Sequence, residues 1–443
     1  MANELVVGTR RVGDFIDFDP ETPAVKVTLQ RSEEGIGVTL SWSDLDNPYA
    51  AWFMDDSVRG LRASRAVGKP VPKRVLFHDS HGSVLLVRCW AHGFHSNLVG
   101  GAGSGTLWAQ AAVLGVQEDI EFDNPDGLQT EISGLRAWLD VSSWRESLDK
   151  SEGNLIAALT SVKSPAIELG EYGGVDVTFQ PNWKIVPEEG LDRRVVLDMM
   201  RCITRTETPT AWAAHLQVHW AIRDLLVLSR WRRESCVELL VQRNDDLLRT
   251  MDGKVHGPQW REIVVPEDEQ VTPPTGFQQH LIEYSELGPE GLRKWLQLRD
   301  QFARALDPIL SSIWLEKVTP MTVLAHTGPG LEALGYLLML RDGTPENAAA
   351  RATLRARFER ILRDLDECLP FEGEAWVTKT VRTYNGLKHA NREAPMEVDI
   401  LNAWRESVMV TRAWVAVELG VPHDQIAERL RNDPQSHAWR PVN

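Results

Sequence analysis

The chain has 443 residues, of which 43% are hydrophobic and 25% charged, with a formal net charge of −15 at pH 7. This composition is typical of a globular protein of two or three domains and argues against wholesale binding to nucleic acid. No run approaches the roughly 18 apolar residues of a membrane span. The first 11 residues lack the apolar core of a signal peptide. We therefore expect no membrane partner. The four cysteines are widely spaced, which favours reduced thiols and a cytoplasmic location.

The first half of the chain has the pattern of β structure. Apolar and polar residues alternate in several short runs, and turn residues separate the runs. Asp79-Ser80-His81-Gly82 between two such runs predicts a β-hairpin. The strands predicted in this way are residues 25–29, 36–40, 74–77, 83–87, 106–114 and 175–179. Their short, regular spacing predicts a sandwich or a barrel.

Helical periodicity first appears at residues 209–228 and then dominates the end of the chain. Strands are predicted again at 236–241 and 261–265, followed by a proline-rich linker at 266–279. After residue 288 the pattern predicts a bundle of about five helices. Their predicted positions are 291–315, 329–340 after a Gly328-Pro329-Gly330 break, 347–369, 371–391 and 398–419.

The sequence therefore predicts an α+β protein. An N-terminal β-rich domain spans residues 1–270 with an embedded helix near 209–229, and an all-α bundle spans 285–443. Charge differs between the two parts, because residues 290–443 carry 20 basic and 21 acidic side chains whereas residues 1–289 carry 28 and 42. A polyanion would meet less repulsion at the C-terminal third.

The segment 382–391 concentrates chemistry-bearing side chains. On a helix, Arg382, Asn385 and His389 share one face, since they are spaced by three and four residues. An arginine can hold phosphate oxygens and a histidine can transfer a proton near neutral pH. These residue types suit a phosphodiester substrate. The same spacing is also typical of a solvated helix end, where cations favour the helix dipole.

A helical bundle in which an arginine precedes a histidine by a few residues, with a polar residue between them, resembles the HEPN superfamily. The whole chain resembles ApeA-type abortive-infection proteins, which join an N-terminal ApeA domain to a HEPN domain. The passages that carry this resemblance are Val75-Leu-Phe-His-Asp-Ser-His-Gly82, Leu135-Arg-Ala-Trp138-Leu139, Gly330-Leu-Glu332-Ala-Leu334, Tyr384-Asn-Gly-Leu-Lys-His389 and Leu419-Gly-Val-Pro-His-Asp424.

The resemblance implies an endoribonuclease that acts in anti-phage defence without a metal or other cofactor. His389 would be the acid/base, Arg382 the phosphate ligand and Asn385 the orienting residue. RNA, with tRNA as one candidate, would be the substrate. Further implied partners are a second copy of the chain, paired through the helical bundle, and a phage-derived trigger. The N-terminal domain would then be a sensor or regulator.

One departure from the family pattern leaves an alternative open. Many HEPN motifs place arginine directly before the polar residue, and this chain has Tyr384 there. Either Arg382 takes that role from one helical turn away, or the bundle is a non-catalytic binding or scaffold module.

Further side chains are candidates for supporting roles. Glu332 lies in an apolar helix, where it could orient Arg382 or Lys388, or else form a simple rim contact. The arginine-rich run 351–363 could line an RNA path or be an ordinary exposed helix. The candidate RNA-binding residues in it are Arg351, Arg355 and Arg360.

Five potential zinc ligands fall within eighteen residues: His78, His81, Cys89, His92 and His95. Structural zinc sites are usually richer in cysteine, so we predict surface histidines here and no metal site.

Overall fold

In a computed structural model of the chain, the structure describes residues 3–19, 22, 25–43, 47, 49–53, 70–97, 101–151, 154–162, 164–188, 193–266, 279–365 and 367–440. Most of the predicted linker, residues 267–278, lies outside the described residues. No described helix is long and apolar enough to span a membrane.

The described residues from 10 to 264 contain fourteen strands and two α-helices. In chain order they are β1 (Arg10–Ile16), β2 (Val25–Ser32), β3 (Gly35–Trp42), β4 (Arg74–Asp79), β5 (Gly82–Ser96), β6 (Gly103–Leu114), β7 (Gly127–Ile132), α1 (Leu135–Leu139), β8 (Trp144–Ser151), β9 (Asn154–Ser161), β10 (Ile167–Tyr172), β11 (Val175–Glu188), β12 (Arg193–Arg205), α2 (Trp212–Arg230), β13 (Cys236–Arg249) and β14 (Val255–Val264). Every strand predicted from alternation lies within one of these.

Six of the strands close into an antiparallel barrel. Its order is β6-β3-β2-β1-β4-β5, and the pairing of β5 with β6 completes the circle. The predicted hairpin is confirmed, since Asp79 pairs with Gly82 across a two-residue turn. Apolar side chains that alternate along these strands fill the interior, among them Phe15, Leu29 and Phe77. Of the two predicted architectures, a sandwich or a barrel, this part of the chain forms the barrel.

An open sheet continues from the barrel. Strand β14 joins β6 at Ile263 and Val264, and the order then runs β14-β13-β7-β12-β11-β10. Helix α2 packs on this sheet, with His219 fully buried between the hydroxyls of Thr130 and Thr204. Burial lowers the pKa of His219 to about 3, so this histidine stays neutral. The helix predicted at 209–228 is confirmed, although it begins at Trp212.

Residues 284–431 are helical. The helices are α3 (Tyr284–Gln301), α4 (Ala303–Ser311), α5 (Pro320–Arg341), α6 (Glu346–Arg351), α7 (Leu354–Leu362), α8 (Gly373–Lys388), α9 (Glu397–Leu419) and α10 (His423–Arg431). The predicted α+β class, with a helical region after a β-rich one, is confirmed. Helix α10 was not predicted.

Several helix boundaries differ from the prediction, and one of them moves a candidate residue: the run predicted at 371–391 is helical only from Gly373 to Lys388, so His389 lies beyond the helix. Helix α5 runs through the expected Gly328-Pro329-Gly330 break, because the two glycines allow close contacts that hold the helix in place. The run 347–369 is divided at Thr353, whose hydroxyl accepts a hydrogen bond from the Ala356 N–H and caps a new helix. The run 291–315 is divided at Phe302, which leaves helical geometry.

The β-rich and helical regions share one hydrophobic core. A single cluster joins Leu135 and Leu225 of the first region to Trp295 and Trp414 of the second. Two indole N–H groups cross the same boundary: Trp138 donates to the carbonyl of Ile282 and Trp295 to that of Ala221, each at 2.7 Å. Helix α2 thus packs both against the open sheet and against the helices of the second region.

Arg412 on α9 fixes that arrangement. Its side chain is fully buried and donates to the carbonyls of Leu228 and Ser229 at the end of α2, at 2.7 and 3.2 Å. The guanidinium also pairs with Asp433 at 2.7 Å and donates to Gln435 Oε1 at 2.7 Å. A buried charge with this many partners is expensive to disturb.

We expect Arg412→Ala to lower the free energy of unfolding by about 3–5 kcal/mol, because it leaves the buried Asp433 carboxylate without its cation and the Leu228 carbonyl without the guanidinium donor. Urea unfolding of the full chain, followed by circular dichroism, measures this. Arg363→Ala is the control, since its side chain is 70% exposed, and it should cost less than about 0.5 kcal/mol. Equal losses in the two variants would contradict the role given to Arg412.

Candidate functional site

The end of α8 and the loop after it carry the candidate catalytic residues. Lys388 is the last helical residue, and His389 leaves helical geometry at φ −122° and ψ 109°. The following chain folds back over the helix at Gly386. A Cβ there would lie 2.6 Å from the Glu393 carbonyl, so only glycine admits this contact. The loop thereby returns Glu393 to the helix surface.

Arg382 lies on that surface. Its side chain is 80% exposed and its Nη2 is 2.8 Å from Glu393 Oε2. The Glu393 side chain is 81% exposed as well. Exposed ion pairs contribute little stability and are screened by salt. The guanidinium can therefore exchange this carboxylate for a phosphate at small cost.

Asn385 lies one turn further along the same face, and His389 follows just beyond the end of the helix. Asn385 is half-buried, and its main-chain carbonyl accepts the His389 N–H at 3.0 Å. His389 is exposed. Within the described part of the chain, no hydrogen bond joins the side chains of Arg382, Asn385 and His389 to one another. Arg382 and Asn385 lie on the predicted helix face, whereas His389 follows the helix in extended geometry, which corrects the prediction of a helical His389.

Helix α8 continues this face toward its start. Thr378 is exposed one turn before Arg382, and its hydroxyl accepts a hydrogen bond from Arg355 Nη2 at 2.8 Å. We call Thr378, Arg382, Asn385 and His389 the polar stripe. Because a helix rises 1.5 Å per residue, the helical part of the stripe, from Thr378 to Asn385, is roughly 10 Å long. The spacing of Thr378 four residues before Arg382 was the sequence signal that could have identified it.

Tyr384 faces away from the polar stripe. The residue is 5% exposed, and its ring lies against Gly328 of α5. Burial, together with the charge of Glu332 and a hydrogen bond to that carboxylate, raises its pKa. Lys388 Nζ lies 5.5 Å from the centre of the ring. Tyr384, directly before Asn385, therefore anchors α8 to α5 in this chain. The exposed arginine, Arg382, lies one turn before Asn385.

The Glu332 carboxylate contacts three side chains, two at the C-terminal end of α8 and one on α7. Its carboxylate accepts from Tyr384, lies 3.4 Å from Lys388 Nζ and lies 3.5 Å from Arg357 Nη1. Of the two cations that the sequence offered, Glu332 contacts Lys388, whereas Arg382 pairs with Glu393 instead. Sequence reasoning did not single out Arg357 as the second cation.

The three candidate RNA-binding arginines have different surroundings. Arg351 is exposed at the end of α6. Arg355 is half-exposed and joins the polar stripe at Thr378, with a second contact to Glu359 at 3.1 Å. The Arg360 side chain is 5% exposed, and its guanidinium forms ion pairs with Asp342 and Asp364 of the same chain. Arg360 therefore stabilises the contact between α7 and the end of α5.

The candidate zinc ligands do not gather. Among the described residues, no group of three or more His, Cys, Asp or Glu side chains could hold a metal ion. His92 stacks on Trp108 with ring centres 4.1 Å apart. Burial raises the pKa of the Cys89 thiol to about 12, so Cys89 is not a ready thiolate.

Comparison with known proteins identifies a family for the first part of the chain. A family model described as ApeA N-terminal domain 1 matches residues 11–245, more than half of the chain. The match extends over the barrel and helix α2 and ends within β13. The polar stripe lies outside the matched residues. No curated protein and no solved structure matches the chain.

We expect Gly328→Ala to displace α8, because the new Cβ would overlap Cε2 of the Tyr384 ring. Overpacking of this kind costs about 1–3 kcal/mol. In a Tyr384→Leu background the clash is removed, and the same substitution should gain up to about 1 kcal/mol from the higher helix propensity of alanine. Urea unfolding of the four proteins of this double-mutant cycle measures the coupling. Additive effects would contradict the contact.

Proposed function

This chain belongs to the ApeA N-terminal domain 1 family, and from that premise we propose that it is an anti-phage defence endoribonuclease. Family membership is consistent with a role in defence. The ribonuclease activity is assigned to the helical region, as a HEPN-type bundle acting in the cytoplasm. The β-rich region would sense a phage-derived trigger and restrain the bundle.

One observation carries the proposal for RNA: the polar stripe is an exposed row of phosphate-binding and proton-transferring groups. Among the residues that the structure describes, the ion-pair partner of Arg382 is one exposed carboxylate, that of Glu393. The imidazole of His389 is exposed at the end of the helix, where water, substrate and a second protein chain can all reach it.

The chemistry needs no group beyond side chains and substrate. A base removes the proton of the RNA 2′-hydroxyl, whose oxygen attacks the adjacent phosphorus. An acid gives a proton to the departing 5′ oxygen, and a 2′,3′-cyclic phosphate remains. Arg382 would stabilise the negative charge on the non-bridging oxygens, and His389 would transfer a proton. Asn385 would orient the phosphate or the ring. DNA lacks the 2′-hydroxyl and would not be cut.

A second copy of the chain would complete the site. One arginine and one histidine per chain make a sparse site, so each composite site would draw Arg382 from one chain and His389 from the other. Pairing about a two-fold axis through the helical region would bring two polar stripes together.

RNA would extend from the stripe toward α7. Arg355 already contacts the stripe, and Arg351 lies one short helix earlier with an exposed side chain. Arg360 would support this surface from within. The more acidic residues 1–289 would repel RNA over about a Debye length, near 8 Å, and so confine binding to the helical region. A tRNA is one candidate substrate.

The alternative function is a non-catalytic RNA-binding or scaffold module. Two observations favour it: Tyr384 occupies the position where an arginine would be expected, and Arg382 is paired with Glu393. Such a module would bind RNA through the same stripe and leave it intact.

We expect the purified full chain to cleave total RNA or tRNA in the presence of EDTA and to leave 2′,3′-cyclic phosphate ends. His389→Ala should reduce the rate by about 100-fold or more, the usual loss when an acid/base group is removed. Gel analysis and end-group mapping measure both effects. His423→Ala is the matched control, because His423 is an exposed histidine on α10.

Three outcomes are decisive for this assay. Loss of cleavage on chelation, restored by a divalent cation, would overturn the mechanism. Equal loss in His389→Ala and His423→Ala would overturn the assignment of the histidine. Tight binding of intact RNA by all three proteins would support the non-catalytic alternative.

We expect a mixture of Arg382→Ala and His389→Ala proteins to regain activity, because one composite site in a mixed dimer keeps an intact set. The recovered rate should rise with total protein concentration as dimers form. Mixing each variant with itself is the control. A fully active chain that sediments as a monomer would exclude a shared site.

A further inference from the structure

A large cavity lies in the β-rich region, away from the polar stripe. Its volume is about 930 Å³, which is within the usual range for small-molecule sites. Strands β6, β13 and β14 and helix α2 contribute its walls, together with the segment 4–6 before the barrel. It therefore lies where the closed barrel meets the open sheet.

Aromatic side chains line the cavity, and two of the three indoles are partly exposed. Trp212, Leu216 and Trp220 come from one face of α2, since they are spaced by four residues. Trp220 is 40% exposed and Trp90, from β5, is 43% exposed. Large exposed indoles in a concave wall are available to a ligand, and an indole face attracts a cation.

The ionised groups around the cavity are unbalanced. Glu4, Glu238 and Glu262 line it, and Arg31 is the one cation among the described lining residues. Arg31 already donates to the carbonyls of Leu5 and Val265, at 2.6 and 3.2 Å. The three carboxylates outnumber this one guanidinium, so the ionised groups around the cavity have a net negative charge, which favours a ligand cation.

Glu238 and Glu262 differ in their partners. Glu238 forms ion pairs with Lys184 and Arg201. Neither Glu4 nor Glu262 forms an ion pair with any residue that the structure describes. Burial and the nearby charges of Glu238 and Glu4 raise the pKa of Glu262. Burial is the largest cause of this shift in pKa, and the charge of Lys184 opposes it.

We propose that this cavity binds an organic cation, an ammonium or guanidinium group on a short apolar stem. Glu262 and Glu4 would neutralise the charged head, and the indoles of Trp220 and Trp90 would pack on the stem and the cation. Such a group can belong to a free small amine or to a lysine or arginine side chain of a protein. The inference does not depend on RNA cleavage.

The test is calorimetric titration of the full chain with n-butylguanidinium chloride and with its uncharged isostere, n-butylurea. A second pair of probes is a capped glycine-rich pentapeptide with one central arginine, and the same peptide with citrulline. We expect saturable binding of at least one cationic probe and none of its neutral counterpart. Binding of butylguanidinium would indicate a free cation as the natural source, and binding of the arginine peptide alone would indicate a protein side chain.

Two cavity variants and two matched controls test whether the cation binds in this cavity. Glu262→Gln and Trp220→Leu should each weaken the affinity about fivefold or more, the scale of a lost charge or cation–π contact. Glu171→Gln and Trp183→Leu should leave it unchanged, because both residues are exposed outside the cavity.

The proposal is overturned if no cationic probe gives saturable heat, if the neutral isosteres bind equally well, or if both cavity variants bind like the wild type. The comparison of charged with neutral probes uses the unmodified chain, so it decides the question even if a variant misfolds. Because RNA is absent from the titration, failure here leaves the ribonuclease proposal unaffected.

Discussion

The buried guanidinium of Arg412 holds the two regions of the chain together. It binds the last carbonyls of α2, which belongs by sequence to the β-rich part, and it does so from the centre of α9. Such an arginine can remain buried only while Asp433 and those carbonyls stay in place. The end of α2, helix α9 and the C-terminal residues therefore form one unit. Separating the regions would expose this charge and the shared core around Trp295.

Helix α5 positions the polar stripe from the other side of α8. Gly328 admits the ring of Tyr384, and Gly335 admits the main chain of α7 at Arg357, so both neighbouring helices approach α5 closely. Glu332, one turn after Gly328, then binds Tyr384 and Lys388. With one face of α8 held in this way, the opposite face that carries Arg382 must point to solvent.

Helix α2 connects the cavity to the helical region. One of its faces supplies Trp212 and Trp220 to the cavity wall, and its end is bound by Arg412. Occupation of the cavity would therefore act on an element that also belongs to the helical core. This would give a physical route by which the sensing role proposed for the β-rich region could influence the bundle.

Local patterns along the chain predicted five of the six barrel strands, the hairpin at Asp79 and the α+β class, whereas β1 was not predicted. These features follow from backbone periodicity, which repeats every two residues in a strand and every 3.6 in a helix and which also puts Arg382 and Asn385 on one helix face. The packing of the folded chain was needed to show that α5 continues through Pro329, that α8 ends before His389, that Arg360 is buried and that the two regions share a core. Those outcomes depend on which surfaces meet, and the pattern along a chain does not contain the partner that a glycine, an arginine or an apolar face will contact.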